Sequence, residues 1–223
     1  MNNKAERLKQ MAPPATQNGQ EYGDRLPPGQ VLTERFPILH EGEVPEYDLS
    51  VWDFKLFGEV EQARSFTFDE FMKLPRTKVV CDIHCVTRWS KFDTEWEGVL
   101  FKDLLKLLDV KPTANYVMVH ADNDYETNVP LEDLMRDDVL LATHYNGEPL
   151  TKKHGFPMRL IVPHLYFWKS AKWIRGFEFM KEDRPGFWEQ NGFHLYGDAN
   201  KEQRFSGEPL DIPEDEWVHK DFD

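Results

Sequence analysis

The densest chemistry in this chain sits in ten residues, Cys81-Asp-Ile-His-Cys85-Val-Thr-Arg-Trp-Ser90, which hold both of its cysteines. A thiolate binds metals and attacks disulfides, and nearby cations favour it over the thiol. Cys85 has such a setting: His84 precedes it and a polar turn, Thr87-Arg88, follows. Four readings are open. Cys85 alone is a metal ligand, or Cys81 and Cys85 form a redox pair, or zinc binds Cys81, His84 and Cys85, or a buried thiol is inert packing. Val79, Val80, Ile83 and Val86 favour a strand here. In a strand, residues four apart lie roughly 13 Å apart, beyond disulfide reach. A strand also points His84 away from both cysteines, and zinc lacks a second ligand pair.

A second feature is a charge island. Forty acidic residues in 223 would place about five in any 29-residue stretch, yet Pro149 to Phe177 has none. It holds Lys152, Lys153, Arg159, Lys169, Lys172 and Arg175, with His154 and His164. This is either a chance basic face or an anion pocket. Gly155 and Ser170 lie among the cations and let backbone approach a ligand. Arg offers phosphate a planar fork and Lys a point charge.

The elements that must position these residues are short. Strands are expected at Trp52–Leu56, Thr77–Val86, Tyr116–Ala121, Val139–Thr143, Arg159–Val162 and Trp173–Met180. A capping box, Thr67 to Glu70, opens a helix that Pro75 stops. Phe101, Leu104, Leu105 and Leu108 have helical spacing, and Leu131, Leu134 and Met135 suggest one or two turns. Asn146-Gly147 marks a hairpin turn. Short strands with a few short helices read as α+β. Residues 1–30 read as an arm, disordered or draped over the body, 31–206 as one domain, and 207–223 as an acidic tail.

Composition narrows the function. The net charge of −13 argues against nucleic acid and against an anionic membrane surface. No stretch approaches the roughly 20 apolar residues of a membrane helix. With no signal-peptide core and reduced thiols, a cytoplasmic setting is expected. Seven Trp and sixteen Phe imply an aromatic core or a ring-walled pocket.

Three stretches resemble the molybdopterin-binding catalytic domain of the sulfite oxidase family, and its small sulfite oxidase-like members above all. The first is Arg35-Phe-Pro-Ile-Leu-His40 leading into Asp48-Leu-Ser-Val-Trp52 and Phe57-Gly58. The second is Cys85-Val-Thr-Arg-Trp-Ser90 with Trp96-Glu-Gly-Val-Leu100. The third runs from Asn146-Gly-Glu-Pro-Leu150 through His154-Gly-Phe-Pro-Met-Arg159-Leu-Ile-Val-Pro163 to Tyr166, Lys169 and Lys172-Trp-Ile174. The tail from Phe187 to Asp198 is similar to the small members as well.

The resemblance implies a mixed β-sheet core with short helices and a molybdenum–molybdopterin cofactor with a single pterin. It implies that Cys85 ligates the metal and that His154 and Arg159 contact the cofactor. Lys169, Ser170, Ala171 and Lys172 fall on the phosphate loop. Phe36, Leu39 and His40 line the pterin from the other side, and His120 lies near a further contact. Arg88, His194 and Tyr196 are candidates for an oxyanion pocket. The implied activity is oxygen-atom transfer to or from a small oxyanion or an S- or N-oxide, with an electron partner the sequence does not name. The family's haem and dimerisation domains do not fit this length, so a monomer is expected. An Arg-rich sulfite pocket is not evident beyond Arg88, so a substrate other than sulfite is expected. The rivals are a non-catalytic molybdopterin carrier and a thiol-redox protein using Cys81 and Cys85.

Overall fold

Residues 22–206 are described by a computed structural model, in which two mixed sheets carry most of the regular structure. One sheet contains β1 (Val31–Leu32), β4 (Thr77–His84), β5 (Trp89–Leu100), β8 (Leu140–Tyr145), β9 (Glu148–Pro149) and β10 (Arg159–Ile161). The other runs β3 (Arg64–Thr67), β2 (Asp53–Gly58), β11 (Ile174–Met180), β6 (Tyr116–Ala121), β7 (Glu126–Pro130). β2 and β11 pair in parallel, and antiparallel neighbours flank them. Among the described residues three short α-helices join strands, α1 (Phe68–Met72), α2 (Phe101–Leu105) and α3 (Leu131–Leu134), and α4 (Phe187–Gln190) follows β11.

The sheets exist because their strands alternate. In β11, Phe177 and Phe179 point into the main core with Phe54, Leu56, Val117 and Val119 from the same sheet. Val99, Leu141 and Leu160 meet them from the other sheet, and Phe71, Phe101, Leu104 and Leu134 from the helices. The opposite face of β8 turns Leu140 and Ala142 into a second cluster with Ile83, Trp96 and Ile161. Gly98 lets β5 cross β8 at its bulge, since a Cβ there would sit 2.0 Å from the Leu141 carbonyl oxygen.

Several expectations hold closely. Tyr116–Ala121 is a strand, the Thr67 capping box opens α1, and Asn146-Gly147 turns with positive φ at both residues. Among the described residues five strands, β1, β3, β5, β7 and β9, were not anticipated, and two of them show why. β5 faces inward through Ser90, Thr94, Trp96 and Gly98, so small and polar groups hide its alternation. In β7 the buried Thr127 and Asn128 are satisfied by side chains of Glu189, Asp183 and Lys169. The expected strand through Val86 stops at His84, and Cys85 enters a tight turn.

Residues 22–30 lie against the body. Leu26 and Gln30 are buried, and Arg25 pairs with Asp82 at 2.7 Å. The rest of the expected arm, residues 1–21, and the expected tail, 207–223, lie outside the described residues. Among the described residues no helix is long and apolar enough to cross a membrane.

Candidate functional site

The turn between β4 and β5 carries Cys85. Its amide donates to the Trp89 carbonyl at 2.8 Å, and the Arg88 amide donates to the Cys85 carbonyl at 3.0 Å. Arg88 closes the turn at φ 72, a left-handed conformation that L-residues other than Asn and Asp seldom adopt. The Cys85 sulfur is buried and accepts from the Thr87 hydroxyl at 3.1 Å. Burial pushes its thiol pKa up, against the opposing pull of that hydroxyl and of the Arg204 charge. Left alone it is a thiol, and a metal ion is what would make it a thiolate.

Cys85 faces a cavity of roughly 900 Å³, open mouth included. Phe36, Leu39, His40, Arg159, Ser170, Ala171 and Lys172, all expected at a cofactor site, line it together. The rest of the wall is mostly rings, with Trp89, Tyr125, Phe167, Trp168, Trp173, Trp188 and Phe193. Trp89, Trp173, Trp188 and Phe193 fall in stretches that carry the family resemblance, and the surplus of Trp and Phe pointed to a ring-walled pocket. The rings nearest Cys85 form one packed cluster with Trp168 and Phe193, against Trp188 and Leu39. Arg159 packs against a different group of rings, its guanidinium 4.4 Å from the centre of the Phe167 ring beside the Trp96 cluster.

Arg159 is 1% exposed. Its guanidinium donates to the carbonyls of His154 at 3.0 Å and Ser170 at 2.9 Å, while its Nε has no partner. Among the described residues no carboxylate pairs with it. Burial therefore depresses its pKa to about 9. A buried cation with an orphaned donor on a cavity wall is costly unless an anion arrives. Gly155, at φ +108, lets Arg159 and Lys172 approach each other, since a Cβ there would meet their Cβ atoms at 3.0 and 3.2 Å.

A model of the family described as the oxidoreductase molybdopterin-binding domain matches residues 41–188. The chain belongs to this family. The uncharacterised oxidoreductase YuiH of Bacillus subtilis is 48% identical over 83% of this chain and 94% of its own length. The methionine-sulfoxide reductase catalytic subunit MsrP of Xanthomonas campestris is 30% identical over 63% of this chain and 48% of its own. The sulfane dehydrogenase SoxCD of Paracoccus pantotrophus has a similar structure, with a TM-score of 0.58 and 25% identity over 67% of this chain and 42% of that one. The chain thus spans about half or less of the latter two proteins. The fold is that of the sulfite oxidase family's catalytic domain, and the cofactor is molybdenum–molybdopterin. The cavity fits such a group, because a buried sulfur, a buried guanidinium without a carboxylate partner and flat rings line it together.

Other expected site residues lie elsewhere. Arg88 turns away from the cavity, donating to the Gly29 carbonyl at 3.3 Å and lying 3.7 Å from Glu202. His120 sits between Glu126 at 2.8 Å and Glu178 at 3.0 Å on the β6 surface. Lys169, expected on the phosphate loop, is fully buried against Glu189 at 2.6 Å. His194 uses Nδ1 to accept the amides of Tyr196 and Gly197, and the Tyr196 hydroxyl donates to Asp133 at 2.9 Å. None of these five lines the cavity. Arg88, His120, Lys169 and Tyr196 are drawn off by partners distant in the chain, and His194 by amides of its own turn. His154 sits behind the wall, its ring stacked on Phe36 at 4.2 Å.

The zinc and dithiol readings find no support in this geometry. Among the described residues no three His, Cys, Asp or Glu side chains gather to hold a metal. Cys81 packs with the Trp96 cluster and Cys85 with the Trp168 cluster. Burial pushes the Cys81 thiol up to about 12, and its sulfur lies 3.8 Å from the Thr94 hydroxyl.

Two predictions arise here. Glycine accepts the backbone of position 88 without strain, which is worth about 1 kcal/mol. Arg88→Gly should therefore keep its molybdenum content and melt near wild type, and a loss of turnover at full loading would return Arg88 to the site. The second concerns His154, whose pKa burial lowers from 6.5 to about 4, with Arg159 and Lys172 adding to the shift. Above pH 6.5 the imidazole is neutral folded or unfolded. As pH falls from 6.5 towards 4 only the unfolded chain protonates, so stability drains away across that window. Denaturant titrations should show His154→Gln losing less stability than wild type between pH 7 and pH 4.

Proposed function

We propose that the protein is a molybdenum-dependent oxidoreductase that exchanges an oxygen atom with a neutral S-oxide, Cys85 being the protein ligand to the metal. The observation that carries this is the make-up of the wall beside Cys85. Trp168, Trp188 and Phe193 stand there, and the guanidiniums of Arg88 and Arg204 near the Cys85 turn are turned to other work. Arg88 holds Gly29 and lies near Glu202, and Arg204 holds backbone carbonyls. A dianion such as sulfite asks for uncommitted cations at the reacting atom. A thioether or sulfoxide asks for polarisable rings, which sulfur contacts favourably by about 0.3–1.5 kcal/mol. Relatives named as methionine-sulfoxide reductases favour the same class.

When bound, the cofactor supplies two-electron oxidation or reduction with transfer of an oxygen atom. The chain's residues do the rest. Arg159, Lys172 and the Ala171 amide would hold the pterin's phosphate. Phe36, Leu39 and His40 cover the pterin face. The Thr87 hydroxyl donates to the Cys85 sulfur and tempers its electron density. The Trp168 cluster excludes water and orients the substrate's sulfur.

The test is turnover by molybdenum-loaded protein. Methyl sulfoxides and methionine sulfoxide are offered with a reduced viologen dye, and sulfite with ferricyanide. Sulfoxide reduction should exceed sulfite oxidation at least tenfold in kcat/KM. The reverse order would overturn the substrate class. Fully loaded protein inert to the whole panel would favour a cofactor carrier.

A further inference from the structure

We propose that Arg204 is a positioning residue for the metal site, fixing the turn that carries Cys85 and keeping a permanent positive charge behind its sulfur. The inference rests on Cys85 being the ligand. Arg204 is 5% exposed and spends its donors on three separate segments. Nη1 donates to the Val86 carbonyl at 2.8 Å, and Nη2 to the Pro28 carbonyl at 3.0 Å and to Gln30 Oε1 at 3.3 Å. Nε reaches Glu202 at 3.3 Å. The Gln30 side chain, 2% exposed, then donates to the carbonyls of Cys85 at 3.1 Å and Trp89 at 3.3 Å. Three carbonyls of the turn are thus held from behind, that of Val86 by Arg204 directly and those of Cys85 and Trp89 through Gln30.

The arrangement needs a fork as well as a charge. A lysine ammonium is a point charge on a flexible stem and cannot reach Val86, Pro28 and Gln30 in one fixed plane. The charge is only partly offset, because the Glu202 side chain is 43% exposed and water screens it. The guanidinium also lies over the Tyr166 ring, 4.8 Å from its centre, in the cluster that packs on Cys85. A fixed cation behind a metal-bound thiolate stabilises the more electron-rich state of the site and so raises its midpoint potential.

The experiment compares molybdenum content, midpoint potential and the molybdenum EPR spectrum in holo protein from a cofactor-competent host. Arg204→Gln should lose molybdenum severalfold. Its loaded molecules should show a lower midpoint and an altered spectrum. Arg204→Lys should recover the midpoint but not the occupancy. Leu56→Ala, in the remote core, should lower the melting temperature and move neither redox readout. Loaded Arg204→Gln with a wild-type midpoint and spectrum would overturn the proposal and leave Arg204 a structural tie. If Arg204→Gln does not fold, Gln30→Met carries the test, because it removes the bond to the Cys85 carbonyl. A wild-type spectrum in that variant overturns the positioning role. Cys85→Ser separates the two levels. A wild-type spectrum there means the ligand reading has failed; a changed one, with Arg204→Gln unchanged, means only this inference has.

Discussion

Cys85→Ala is expected to cut turnover by at least a thousandfold, roughly 4 kcal/mol of transition-state stabilisation, in a protein that still folds. The folding cost is small because Cys and Ala differ by one atom, and the turn is held by backbone bonds that alanine keeps. Cys81→Ala should retain both molybdenum and activity. Its sulfur packs in another cluster beside Thr94, and its thiol is held far from ionisation at neutral pH. Metal analysis and turnover on the same preparations decide the matter. Equal loss of metal in both variants would revive a two-cysteine site.

Lys169→Met should destabilise the fold by about 3–5 kcal/mol, the usual cost of stranding one charge of a buried pair. The Lys169 and Glu189 side chains are each 1% exposed and 2.6 Å apart. Lys169 also donates to Asn128 and to the Leu195 carbonyl. Glu189 accepts from Trp168 at 2.8 Å and Thr127 at 3.0 Å, and its second oxygen is unpartnered. Removing the lysine leaves that carboxylate buried and uncompensated. For a chain of this size the loss corresponds to roughly 10 °C in melting temperature. Lys169→Met/Glu189→Leu should recover much of it. If Lys169 instead held the phosphate, Lys169→Met would melt near wild type and lose cofactor, and calorimetry beside metal analysis tells the two apart.

The sequence reached one half of the site more readily than the other. Cys85, Arg159 and the Ser170–Lys172 run, which all line the cavity, stood out because each departs from its surroundings: a thiol before a polar turn, and cations in a stretch without acids. Lys169 and Tyr196 were misplaced for the converse reason. Nothing near them in the chain announces Glu189 or Asp133, which come to them through the packing of α4 and α3. Arg204 and Gln30 escaped notice because neither residue type nor spacing sets them apart. Their role exists only where segments 174 positions apart meet. The same logic hid β5 and β7, whose inward faces carry polar groups satisfied at long range. Local apolar alternation finds strands that bury oil, such as β6, and misses strands that bury hydrogen bonds.

The clasp behind Cys85 also sets an order of events during synthesis. Val86 and Arg204 are 118 positions apart. At about 5–20 residues per second, a ribosome needs roughly 6–24 s to travel between them. Through that interval the thiol turn lacks its rear fastening. The Cys85 turn is therefore made well before the residue that fastens it, and the clasp can close only once Arg204 has been synthesised.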